Sequence, residues 1–291
     1  MAAHTRLAAI GAILAVASAA AQEAPATTLR RIIVTGQSAG SGENLIGINR
    51  QPEWTAHRRF PTTRVYVLPP WQVEFEQWWR GKFPRHGKSE HLFQTEIGIG
   101  LPYRFQLDLY ENIEHASDGT RHAGTQVEAR WALAEWGRIP LNPTLYVEWK
   151  FNDSAPDAYE VKVLLGEQLA PRWQWGCNVF HEQETGGARG TEWGFSQAVG
   201  YSPLDSRFSI GLEAKFEHTT ERGSRADAEI EFLIGPSIQW RPSPRMHLDL
   251  APLFGTTNDS PRVEVFLVFG LELGRGAQSP ETRVPVSTRA R

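Results

Sequence analysis

The chain has 291 residues, 33 acidic against 30 basic, with a single cysteine. A near-neutral balance supplies no basic patch for nucleic acid, and one cysteine excludes a disulfide scaffold and any Cys-x-x-Cys zinc motif. A mean hydropathy of −0.39 excludes a bundle of transmembrane helices. Yet the chain carries 11 tryptophans and 14 phenylalanines, so it is polar on average and rich in large aromatics.

The chain order begins with a short basic start, an apolar run over residues 7–17, and Ser18-Ala19-Ala20-Ala21 before Gln22. Those are the three regions of a secretory signal. Cleavage is expected after Ala21, which leaves 270 of the 291 residues and places the chain in the envelope of a Gram-negative bacterium. The apolar run is short for a membrane span.

Residues 22–69 follow, with R-I-I-V-T at 31–35 as a short strand, a Gly/Ser/Asn-rich stretch at 36–50, and prolines at 52, 61, 69 and 70. This composition predicts an extended periplasmic segment with no core of its own. It forms a tether, or a length of chain lying in the mouth of what comes next.

From residue 71 the pattern becomes regular. Twelve alternating runs are predicted, near 71–82, 90–100, 103–114, 123–134, 143–152, 158–168, 172–182, 191–201, 207–218, 227–239, 245–255 and 262–273. Their length suits membrane-spanning strands of about 9–11 residues, and no helical period of comparable strength competes.

Successive strand side chains point to opposite faces. One face is apolar, as in Phe105, Leu107, Leu109 and in Leu145, Val147, Trp149, Phe151. The other face is small, polar or charged. A soluble barrel or sandwich would hide the apolar face, whereas a membrane barrel shows it to lipid. The signal peptide and the even strand number favour the membrane form. So does width, because side chains fill a barrel of about eight strands and not one of twelve. The predicted fold is an all-β, antiparallel, up-and-down transmembrane β-barrel of about twelve strands. Its domain plan is 1–21 signal, 22–69 periplasmic segment, 70–273 barrel and 274–291 polar tail.

Connections alternate in character. Tight, often proline-bearing turns lie at 100–102, 169–172, 202–205 and 241–244, and are expected on the periplasmic side. More hydrophilic connections lie at 81–90, 117–122, 152–157, 183–190, 219–225 and 256–261, and are expected outside. Two aromatic belts follow: Trp71, Tyr103, Trp173, Tyr201 and Trp240 at one end, and Trp79, Phe151, Tyr159 and Trp193 at the other.

The polar face carries the candidate ion pathway: Glu74, Glu76, Glu96, Asp108, Glu128, Arg130, Glu148, Lys150, Glu213, Lys215, Glu229, Glu231, Asp249 and Glu264. With Glu160, Glu192, Glu217, Glu272, Arg80, Arg104 and Lys162 the face counts 15 acids against 6 bases. Acidic rings favour cations in a pore. A water-filled, cation-preferring lumen and a salt-bridged, largely closed interior both fit this count.

Other chemistry is sparse. Histidines 86, 91, 115, 122, 181 and 218 gather near the predicted outer rim without zinc-type spacing. They read as solvated loop residues, and no metal site or cofactor is expected. Residues 36–40 (G-Q-S-A-G) match the hydrolase elbow, but no strand–helix context follows. The His-x-Ser-Asn-Gly signature of outer-membrane lipases is absent, and no catalytic residues are assigned.

Residues 94–110 (Q-T-E-I-G-I-G-L-P-Y-R-F-Q-L-D-L-Y) resemble the early strands of outer-membrane barrel transporters described with a phenol-degradation (MetA) pathway. Pro102-Tyr103 stands where that family has polar turn residues. The resemblance implies passage of small molecules across the outer membrane. Residues 31–36 (R-I-I-V-T-G) resemble an energy-coupling (TonB) box, which implies a periplasmic partner through residues 30–36. The large plug and extra strands of such receptors are missing. The polar tail after residue 273 also departs from barrels that end on an aromatic; Phe269 would take that role from inside the strand. The reading is an outer-membrane channel or transporter for small solutes. The alternatives are a non-conducting structural or adhesive barrel and, further off, an outer-membrane enzyme.

Overall fold

A computed structural model describes residues 45–204 and 207–274. The expected signal peptide, the elbow-like 36–40, the coupling-box-like 31–36 and all of the polar tail except Gly274 lie outside the described residues. Everything described belongs to one unit, Gly40–Arg291.

Twelve long strands run in chain order: β3 (Val73–Phe83), β4 (Glu90–Leu101), β5 (Phe105–Ala116), β6 (Gly119–Ala132), β7 (Thr144–Asn152), β8 (Ala158–Ala170), β9 (Trp173–Glu184), β10 (Thr191–Leu204), β11 (Phe208–Thr220), β12 (Glu229–Ser243), β13 (Met246–Gly255) and β14 (Val263–Leu273). Each pairs antiparallel with the next, and β14 returns to β3 to close the barrel. The fold is thus all-β and up-and-down, with the strand number that the alternation predicts. A soluble sandwich is excluded, since no strand of the barrel is left with a free edge.

The register holds the two faces apart. Glu76 faces Glu96, Leu109 faces Val127, and Val265 faces Gly81, so like positions share a side all round the wall. Ile97, Leu107, Leu109, Val127, Val147, Val161, Val179, Leu212 and Leu250 are exposed on the outside. A soluble surface rarely shows a contiguous apolar area of this extent.

Aromatic rings concentrate at the strand ends. Trp71, Tyr103, Trp173 and Trp240 are exposed at the end where the chain enters and leaves the barrel, here termed the terminal end. Phe151, Tyr159 and Trp193 are exposed at the opposite, loop end. Histidines expected as loop residues join this second belt: His91 stacks on Trp79 at 5.8 Å and His218 on Trp193 at 5.0 Å.

The polar alternation is interrupted along one arc. Trp78, Leu233, Ala251, Leu253, Phe266 and Val268 form a buried apolar cluster contributed by β3 and β12–β14. The inner face is therefore apolar on one side and charged around the remainder.

Residues 45–72 precede the first long strand, and 51–69 of them are largely buried within the barrel. They comprise a short hairpin, β1 (Leu45–Ile46) with β2 (Gln51–Pro52), a 3-10 turn Glu53–Thr55, and an irregular run to Gln72. Phe60, Val65, Tyr66 and Val67 are buried there against Ala132 and Ala198 of the wall. The segment thus shares its core with the barrel. The connection 133–143 closes over it, with Trp136 edge-on to Trp54 at 5.7 Å and to Tyr66 at 5.3 Å.

Candidate functional site

An irregular segment inside a barrel must find partners for its backbone polar groups. The inward amides supply them. Gln106 accepts from the Leu68 N–H at 2.7 Å, and Gln239 donates to the Arg58 carbonyl at 2.6 Å. Asn178 accepts from the Arg64 N–H at 2.8 Å and donates to the Arg64 carbonyl at 2.6 Å. Glu213 accepts from both the N–H and the hydroxyl of Thr62, at 2.9 and 2.5 Å. These anchors come from four strands spread around the wall, so the segment is tied across the barrel.

Glycine makes the room. A Cβ at Gly166 would lie 2.0 Å from Val65 Cγ1, and one at Gly176 2.9 Å from Val65 Cγ2. Val65 therefore seats in a notch that any larger inward residue would fill.

Charge then fixes the segment. The Arg58 guanidinium bridges Glu76 at 2.8 Å and Glu96 at 3.0 Å, and lies 4.0 Å over the Trp78 ring. Arg64 pairs with Glu96 and stands 3.6 Å from Glu74 and 3.5 Å from Glu76. Arg130 continues the net to Glu128 and, at 3.4 Å, to Asp108. Tyr110 donates to Glu128. Six of the sequence-derived candidates, Glu74, Glu76, Glu96, Asp108, Glu128 and Arg130, are thus joined in one buried network.

The others fall into separate groups. Lys150 pairs with Glu182 at 2.6 Å and approaches Glu160, while Glu148 accepts from Tyr146 at 2.6 Å. Lys215 pairs with Glu217 at 2.6 Å, and Glu264 lies 3.7 Å from Arg80. Glu231 pairs with Lys82 at 3.1 Å. Asp249 holds His247 at 2.5 Å. Glu213 serves the inner segment through Thr62, and Glu229 is exposed at the loop-end start of β12, apart from the network.

Two functional side chains, Arg58 and Arg64, escape a reading by strand parity because they belong to no strand. The available signal was the run of bases Arg58, Arg59 and Arg64 in a segment bounded by prolines, ahead of an acidic barrel face. Burial pulls the Arg59 guanidinium down to about 10, against the opposing pull of Asp249 and Glu213. Burial likewise pushes the Tyr66 phenol up, so it stays protonated and donates to the Ala134 carbonyl at 2.6 Å.

Two kinds of interior result. The terminal half is packed by the segment, and one void there, beside Glu74, Arg64 and Arg130, measures about 10 Å³. Above the segment lies a cavity of about 450 Å³, floored by Arg58, Pro61, Thr62 and Arg64 and walled by Gln94, Tyr110, Gln126, Tyr146, Lys162 and Phe180 among others. Its lining holds 7 acids and 6 bases. The acidic excess of the strands is therefore largely neutralised where the cavity is, because two of those bases come from the segment.

No family model and no curated protein matches the sequence. Solved structures share the architecture. The COG4313 outer membrane channel from Pseudomonas putida F1 superposes with a TM-score of 0.53 at 10% identity, over 72% of this chain and 97% of that one. The NanC porin gives a TM-score of 0.49 at 12% identity, over 70% and 100%, and the KdgM porin 0.45 at 9%, over 70% and 99%. At such identities the likeness is one of fold.

Proposed function

We propose that the chain is an outer-membrane channel or transporter for small solutes, in which residues 45–72 occupy the terminal half of the passage. The observation that carries this reading is the pairing of an exposed apolar outer face with a charged inner cavity of about 450 Å³. Water inside and lipid outside is the environment that satisfies both faces. The barrel shared with the Pseudomonas putida outer membrane channel supports the same reading. The cavity volume falls in the range of small-molecule sites.

Passage requires the inner segment to shift or leave, since it packs the terminal half. Charge preference should follow its position. With the segment seated the cavity lining is nearly balanced; without Arg58 and Arg64 the same lining has 7 acids against 4 bases. A cation preference, weak when closed and stronger when open, is the expected consequence. A periplasmic partner engaging residues 30–36 belongs to the same reading.

The filled terminal half also favours a second reading, a non-conducting structural barrel. Planar-bilayer recordings separate the two. The channel reading expects current through folded protein, at least after R58A and R64A are combined, with a reversal potential shifted toward cations. Silence from folded parent and variant alike would leave the structural barrel standing.

A further inference from the structure

We propose that Glu74, Glu76 and His247 form a binding site for one divalent transition-metal ion, buried between the wall and the inner segment. One oxygen of each carboxylate and one imidazole nitrogen lie within 4.8 Å of one another. The three residues are between 0 and 1% exposed.

The imidazole is the independent pointer. Its Nδ1 is held by Asp249 at 2.5 Å. Its Nε2 is buried without a hydrogen-bond partner and faces Glu76 Oε1 at 3.5 Å and Glu74 Oε1 at 3.8 Å. These separations exceed a hydrogen bond. They are close to the edge of a tetrahedron around an ion bound at about 2.0–2.1 Å, whose ligands lie roughly 3.3–3.4 Å apart. The two imidazole–carboxylate edges, at 3.5 and 3.8 Å, need a contraction of about half an ångström or less to reach that geometry, with water in the fourth position. A carboxylate on the far nitrogen is the arrangement that orients metal-binding histidines and fixes their tautomer.

Two further features fit. Gly270 lies under the ring: a Cβ there would stand 1.8 Å from His247 Nε2, so only glycine leaves the nitrogen where it is. The position is also acidic: Asp249, Glu76 and Glu74 lie 2.5, 3.5 and 3.8 Å from the imidazole nitrogens, and Arg58 and Arg64 are shared between Glu76 and Glu96. A divalent ion would offset these buried carboxylates, and buried charge demands such compensation. Arg58 Nε contacts both oxygens of Glu76, at 3.0 and 2.8 Å, so it would hold the carboxylate from behind. Mixed imidazole and carboxylate ligands suit zinc.

The test uses the full chain, stripped with chelator and titrated with zinc in detergent, and reads metal content without reference to conduction. The expected result is about one zinc per chain, lost in H247Q and bound about 10–100-fold more weakly in D249N. D118N, which alters an exposed acid outside the site, should bind as the parent does. X-ray absorption of the loaded parent should show one imidazole with oxygen ligands, and this reading survives even if a variant misfolds. No zinc retained by the parent, retention unchanged in H247Q, or a shell of two or more imidazoles would overturn the proposal.

Discussion

Replacing Arg58 with alanine removes the guanidinium that ties the inner segment to two strands at once. In the parent it reaches Glu76 at 2.8 Å and Glu96 at 3.0 Å, at about 5% exposure, and covers the Trp78 ring at 4.0 Å. Deleting one partner of a buried ion pair costs about 3–5 kcal/mol, because the other charge stays buried. Arg64 remains within 3.5 Å of Glu76 and pairs with Glu96, so the lower end, about 3 kcal/mol, applies to seating of the segment. At 1.4 kcal/mol per tenfold that is a shift of about 100-fold or more in the seated-to-unseated ratio. The assay is labelling of a cysteine at Thr62 by a membrane-impermeant maleimide, with Cys177, the chain's single cysteine, replaced by serine. Labelling should quicken by about that factor in R58A and recover only in part in R58K, since lysine restores charge without the fork. Equal labelling rates in parent and R58A would refute the argument that this ion pair holds the segment.

Three further outcomes are expected. Gly166→Ala drives a Cβ to 2.0 Å from Val65 Cγ1 and should weaken seating by about 1–3 kcal/mol; Val65→Ala in the same chain should restore the parent labelling rate, and failure of that rescue would place the strain elsewhere. Leu109→Arg puts a charge on the outer face between Ile97 and Val127 and should cost about 2–4 kcal/mol in reversible unfolding from lipid. A negligible cost would mean that this face does not meet hydrocarbon. Lys150→Gln frees Glu182, its partner at 2.6 Å, so the reversal potential should move toward cation preference, and a move toward anions would contradict the charge count of the cavity.

The strands themselves were legible because period-two alternation is a local property. The predicted run 90–100 is β4 at 90–101, and the predicted 191–201 is β10 at 191–204. Boundaries slipped where the local signal competes with pairing: residues 117–122 carry loop composition, yet β6 begins at Gly119, because Thr120 pairs with His115 across a tight hairpin. The inward apolar arc was less legible. Leu233 and Leu253 sit among residues whose alternation is apolar on both sides, and a parity rule has no way to mark them as inside.

What the sequence by itself determined is the strand number, the alternation of faces and the inward placement of residues such as Glu76, Glu96, Asp108 and Glu264, since each follows from neighbours one and two residues away. What only the tertiary structure decided is how those acids are compensated. Arg58 reaches Glu96 across 38 positions and Thr62 reaches Glu213 across 151, and Glu74, Glu76 and His247 converge from two strands that are not neighbours in the barrel. An irregular segment has no period to read. Its place is set by glycine notches, wall amides and buried charges that become neighbours only once the barrel has closed.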